Sequence, residues 1–149
     1  MKLTKRTLHL ITKPVDFKFP LKNKDLGDKL FKFMHQSGGI GLAANQVGLR
    51  QRVFVMSVDN DNRVFFNPKI IESGDNLSPY QEGCLSYPNE YVELYRPDII
   101  RLEYQNEEGV YYYEHFSNLH ARVIQHEIDH LNGITMHDRK LENNNARKS

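Results

Sequence analysis

Two histidines four residues apart, with a glutamate directly after the first, stand in "QHEIDHLNG" at residues 125–133. On an α-helix, residues four apart lie one above the other, so His126 and His130 can each turn a ring nitrogen toward one ion. Glu127 follows about 100° further round the helix. That offset is too large for a natural third ligand and suits a water beside the ion, for which a carboxylate is a general base. A zinc protease of the metzincin type needs a third histidine at position 136, which is Met136; His137 comes one residue late. A thermolysin-like glutamate on a following helix has too little chain after Gly133 to be built. The third ligand is therefore expected upstream, where the single cysteine, Cys84, lies in "EGCLSYP". A thiolate is a strong ligand for a divalent transition metal. Cys-His-His leaves a position open for water, as catalytic sites do. A structural site would draw a fourth ligand from the remaining histidines, none of which stands at a spacing that recommends it.

These groups need elements to hold them. In "SNLHARVIQHEIDHLNG" the residues Leu119, Val123, Ile124, Ile128 and Leu131 recur at helical spacing, with Ser117 or Asn118 as N-cap and Asn132-Gly133 as stop. The stripe predicts a buried helix. A second, amphipathic helix is predicted over residues 24–36, where Leu26, Leu30, Phe33 and Met34 share a face. The glycine-rich "SGGIGLAANQVGL" ends it as a loop. "QRVFVMSVD" and "RVFFNPKII", the latter interrupted at Asn67-Pro68, read as antiparallel strands around the turn "DNDN". Residues 73–88, with two glycines and two prolines, read as a loop carrying Cys84. "DIIRLEYQNEEGVYYYEHF" gives two more strands around "NEEG". The tail "RKLENNNARKS" has no period, so residues 141–149 are expected to be a disordered polar tail behind a single catalytic domain at 1–140.

Composition narrows the partners. With 149 residues the chain holds one core, and 20 Lys+Arg against 19 Asp+Glu leave a formal charge of +1, too small a field to gather nucleic acid or an anionic membrane. One cysteine allows no internal disulfide, no run approaches a membrane-spanning length, and the start lacks a signal-peptide core. A cytoplasmic protein without specific nucleic-acid or membrane partners is expected.

Three segments in this order, "GIGLAANQ" (39–46), "EGCLS" (82–86) and "QHEIDHLNG" (125–133), resemble the three motifs of peptide deformylases. The resemblance implies an α+β fold in which antiparallel strands pack around a central helix carrying HExxH. It implies a metal hydrolase that removes the formyl group from N-formyl-Met nascent peptides and releases formate. Cys84, His126 and His130 would hold one divalent ion, Fe(II) foremost, with Zn(II), Ni(II) or Co(II) as alternatives. Glu127 would take a proton from the attacking water and pass it to the leaving amine. The Gln46 side-chain amide and the Leu85 backbone N–H would bind the oxyanion. Ile40, Gly41 and Gly83 would line the peptide, and Glu82 with Arg96 would support the cysteine segment. Asp129, about 60° back from His126, reads as structural. Tyr91 stands where many bacterial members carry an arginine. The chain stops soon after "HDR", where many members continue into a long helix. That helix is implicated in ribosome docking in some members, so any ribosome association here is expected to be transient.

Three other functions compete. A protease or amidase of another substrate would need a longer open cleft. A metal-binding module without catalysis would lack Glu127 or Gln46. A thiol hydrolase built on Cys84 would lose activity to alkylation and keep it on metal removal.

Overall fold

The computed structural model describes residues 1–148. In chain order the elements are α1 (Pro20–Gln36), β1 (Gly41–Ala43), a 3-10 helix (Ala44–Val47), β2 (Val53–Val58), β3 (Asp61–Ser73), β4 (Leu77–Cys84), β5 (Tyr87–Pro97), β6 (Ile99–Gln105), β7 (Tyr111–Ser117), α2 (Asn118–Leu131) and α3 (Met136–Lys148). The strands pair antiparallel in a five-stranded sheet of order β1-β2-β3-β6-β7 and a separate hairpin of β4 and β5. This is the α+β arrangement expected from the sequence.

Both faces of the larger sheet are covered, because side chains alternate along a strand. Val53 and Val55 of β2, with Phe66 of β3, pack against Leu30 and Met34 of α1. Phe54, Met56 and Val58 point the other way and join Phe65, Ile100, Leu102 and Phe116 under Val123, Ile124, Ile128 and Leu131 of α2. Burial on both faces explains why β2 is nearly unbroken in its apolar character. The helix α2 is buried continuously from Ala121 to Leu131, polar residues included. Its other side meets β5 and the 3-10 helix. The central helix thus belongs to both sheets.

Local chemistry sets the connections. Asp59 and Asn60 have φ of 51° and 63°, and Val58 pairs with Asp61 to close a two-residue hairpin loop. Short polar side chains tolerate that left-handed backbone, which matches the strand twist. The turn is therefore two residues rather than the four of "DNDN", and Asp61 and Asn62 open β3. At Asn67-Pro68 the strand continues with a register shift between Phe66 and Lys69. Pro68 has no N–H to give the ladder, and Asn67 (φ 48°) turns its amide to Val15 and Gln105.

Three expectations need correction, and a fourth, Ser117 as the N-cap of α2, holds in position only. Most of residues 73–88 is not loop: β4 covers Leu77–Cys84 and β5 begins at Tyr87. A two-stranded hairpin exposes much of its surface, so it tolerates the proline, glycine and polar residues that read as breakers. The glycine-rich loop contains β1 and the 3-10 helix. Ser117 occupies the N-cap of α2 in extended conformation, yet no side chain caps that helix end. The tail expected to be disordered is helical through Lys148. Ser149 lies outside the described residues. Met136, almost fully buried beside Val92 and Leu94, anchors that last helix to β5.

Candidate active site

Helical spacing brings the two histidines together as expected. His126 Nε2 and His130 Nε2 lie 3.2 Å apart, and Cys84 Sγ lies 3.3 Å from His130 Nε2. Among the described residues these three form a group whose donor atoms all fall within 4.8 Å of one another. The hairpin delivers the cysteine. The β4–β5 register jumps from Gly83↔Tyr91 to Cys84↔Tyr87, so three extra residues bulge from β5 opposite Cys84 at the strand's end. Asn89, at φ 63°, is the residue that turns this bulge.

The donor set fits a transition metal. His126 Nδ1 is 2.8 Å from Glu82 Oε1, so the ring donates there and leaves the Nε2 lone pair facing Cys84 and His130. One thiolate and two imidazoles suit a borderline divalent ion and leave further coordination to water or substrate. In the absence of an ion, burial opposes charge on His126, yet Cys84, Glu127 and Glu82 outweigh it and raise its pKa, so an ion binding at Nε2 displaces a proton from that ring. Burial and the charge of His126 push His130 well below the usual histidine range.

Behind the ligands stands a buried ionic network. Burial raises Glu82, but hydrogen bonds from His126 and Arg96 and the charge of Arg96 bring its carboxyl down to about 2. Arg96 donates to both Glu82 oxygens, at 2.6 and 3.0 Å, and to Asp129 Oδ2 at 2.8 Å. Asp129 is thus part of the scaffold, as its position on the helix suggests. Arg122 donates to Glu82 Oε2 (3.0 Å) and to the carbonyls of Leu94 and Ser78. Each carboxylate is matched by a fork of donors, which is what makes buried charge tolerable.

The glycine-rich segment supplies the opposite wall. Gln46 Oε1 accepts from Ala43 N at 2.9 Å, which aims Nε2 at Ser86 Oγ (3.0 Å) and Cys84 Sγ (3.5 Å). Gly41 is required by contact: a Cβ there would meet Glu127 Oε2 at 2.6 Å and Val123 Cγ1 at 2.9 Å. Glu127 is buried, its Oε1 has no protein partner, and burial pushes its carboxyl up to about 7. An unpartnered carboxyl in this range is suited to giving and taking a proton.

A cleft of about 420 Å³ opens onto Gln46, Cys84 and His126. Ile40 and Gly41 line one side, Gly83 and Leu85 the other, with Gln46, Cys84 and His126 between them. Leu85 forms, with Ser86, the link between β4 and β5. Glu82 and Arg96 meet behind the cysteine. Every residue singled out from the sequence therefore converges on one region. Not foreseen were Ser86, which receives the Gln46 amide, and Arg122, which bridges hairpin and helix. Asn45 was missed too; its Nδ2 donates to the carbonyls of Leu10 and His130 and ties the 3-10 helix to the end of α2. All three lie in segments singled out from the sequence, Asn45 in "GIGLAANQ", Ser86 in "EGCLS" and Arg122 in the helix of "QHEIDHLNG", but spacing assigned none of them a role.

Comparison with known proteins agrees with this geometry. A family model described as polypeptide deformylase matches residues 1–146. The chain is similar to the peptide deformylase of Bradyrhizobium sp. (strain ORS 278), 42% identical over 145 residues that cover 91% of this chain and 82% of the relative. It is similar to the peptide deformylase of Thermotoga maritima, 43% identical over 127 residues that cover 85% of this chain and 77% of the relative. The crystal structure of peptide deformylase from Thermotoga maritima superposes with a TM-score of 0.87 at 41% identity, covering 91% of each chain.

Proposed function

We infer that this chain, which belongs to the polypeptide deformylase family, uses the Cys84–His126–His130 cluster to remove the formyl group from N-formyl-methionine at the start of newly made proteins. The observation that carries the assignment of roles is the clustering of those three donors beside Gln46, with Glu127 next to His126 in the chain, at a cleft that Gln46, Cys84 and His126 line. As a member of this family the chain is a metal-dependent hydrolase acting on a linear amide.

The residues divide the work. Cys84, His126 and His130 hold one divalent ion, with Fe(II) as the native choice and Zn(II), Ni(II) or Co(II) as substitutes. That ion, when bound, supplies Lewis acidity that brings water into the ionisable range near neutral pH and polarises a carbonyl. Glu127 takes the proton of the attacking water and returns it to the departing amine. The Gln46 amide and the Leu85 backbone N–H hydrogen-bond the developing oxyanion, and loss of one such donor typically costs about 3–4 kcal/mol of barrier. Ala43 and Ser86 hold the Gln46 amide in one orientation, so that it need not reorganise during reaction. Ile40, Gly41 and Gly83 receive the extended peptide, whose backbone can approach closely where no Cβ intervenes. Residues 1–140 act as one catalytic unit in the cytoplasm, and contact with the ribosome is transient. Among the described residues no helix is long and apolar enough to cross a membrane.

The test is substrate choice. Formyl is the smallest acyl group, and exchanging its hydrogen for the methyl of acetyl should overlap a closely packed wall at about 1–3 kcal/mol or more. Matched formyl-Met, acetyl-Met and unblocked peptides, incubated with Fe(II)-loaded protein and followed by mass spectrometry, should give formate release, at least about tenfold slower hydrolysis, and no cleavage, respectively. Equal rates for formyl and acetyl, or cleavage inside the unblocked peptide, would overturn the assignment.

A further inference from the structure

We propose that Arg139, on α3, is a positioning residue for His126, acting through a relay of three ionised side chains; the proposal rests on the assignment of Cys84, His126 and His130 as metal ligands. Arg139 donates from Nη2 to Asp129 Oδ1 at 2.6 Å and from Nε to Oδ2 at 3.2 Å. Asp129 Oδ2 also accepts from Arg96 Nη1 at 2.8 Å. Arg96 then forks onto Glu82 at 2.6 and 3.0 Å, and Glu82 Oε1 is 2.8 Å from His126 Nδ1. The chain of contacts therefore runs without a gap from the last helix to the back of a ligand ring.

The geometry gives Arg139 leverage. Arg96 is shared by two carboxylates, so the plane of its guanidinium is set by where both stand. Arg139 supplies the donor at Asp129 Oδ1. Without it, Asp129 is left with Arg96 as its charged partner, and Arg96 is drawn toward Asp129 at the expense of Glu82. Glu82 fixes the tautomer and tilt of His126, because a carboxylate behind a ligating imidazole orients the ring and raises its basicity. Charge-assisted forks are stiff, so a displacement at one end is passed on rather than absorbed. The side chain of Arg139 is 29% exposed against 5% for Arg96. It can be changed from the surface without opening the core, and solvent around it makes its influence smaller than that of Arg96. Glu142 Oε2, 2.8 Å from Nη1, holds the outer edge of the same guanidinium.

The Co(II)-substituted protein separates positioning from packing. In the parent, a thiolate-to-cobalt absorption band that disappears in Cys84→Ser tests the ligand assignment by itself; its absence from the parent would bring down that assignment and this proposal together. Given the band, Arg139→Met is expected to shift the visible d–d bands and to release Co(II) to excess chelator about tenfold faster, the low end of what partners behind metal ligands contribute. Arg139→Lys should fall between Met and parent. Leu141→Ala, exposed on the same helix, should match the parent. A purely structural role would lower the unfolding temperature of the metal-free protein and leave bands and release rate unchanged. That result, in a folded Arg139→Met protein or in Arg139→Lys should the former not fold, overturns the proposal.

Discussion

Glu127 and Gly41 form a pair whose meaning lies in contact rather than in either residue alone. The carboxylate packs against the glycine-rich segment, and it fits only because Gly41 has no Cβ. Glu127→Ala is expected to retain a full equivalent of metal and to lose about 10²–10⁴ in rate, the usual contribution of a positioned acid–base group. Metal analysis beside formate release decides this; a metal-loaded variant within a few-fold of parent would remove Glu127 from its role. Gly41→Ala should act on the same group from outside. The added methyl would stand 2.6 Å from Glu127 Oε2 and 2.9 Å from Val123 Cγ1, so the carboxylate must move. Misplacement of about 1 Å can cost about 10²-fold. The expected signature is a fall in kcat with unchanged metal content, and parent-like kcat would contradict it.

At the level of elements, the hairpin of β4 and β5 is fastened to α2 by Arg122, which reaches Glu82 and the carbonyls of Leu94 and Ser78, and by Arg96, which bridges Glu82 on its own sheet and Asp129 on the helix. Arg96→Leu leaves two buried carboxylates short of their cation, and breaking such a pair from one side costs about 3–5 kcal/mol. Chemical denaturation should record that loss; a change below about 1 kcal/mol would show that the network is mostly solvated. The elements also mark where the sequence was legible. Helical spacing announced α1 and α2, which each bury a stripe, and runs rich in β-branched and aromatic residues announced β2, β6 and β7. The hairpin was not legible, because β4 is mostly exposed, β5 alternates only over its second half at Val92, Leu94 and Arg96, and Pro79, Gly83 and Pro88 imitate a loop. The helical tail was hidden for a related reason: few apolar residues, chiefly Met136, hold α3 down, and its other contacts are ion pairs, hydrogen bonds and the edge contact of His137 with Tyr87. Within the site, the ligands and Gln46 could be read from spacing and motif. Ser86 and Asn45 could not, since their partners lie 40 and 85 residues away and nothing local requires them.

For the molecule as a whole, an ion bound by Cys84, His126 and His130 joins the hairpin to the central helix only in the folded chain. Such a ligand stabilises by mass action, about 2.7 kcal/mol when present at a hundred times its dissociation constant. Chelation should therefore lower the unfolding temperature by about 5–10 °C for a chain of this size. A scanning calorimeter would register this, and identical transitions with and without chelator would speak against coupling of binding to folding. The central place of α2 has another consequence, for the order in which the molecule comes into being. That helix follows all seven strands in the chain, yet it covers Phe54, Phe65 and Phe116. During synthesis all strands of the larger sheet are made before the helix that lids its aromatic face, and closing that face requires contacts between residues far apart along the chain. An enzyme that acts on nascent chains is thus itself, as a nascent chain, exposed to self-association until its last strand has been followed by the helix that carries its chemistry.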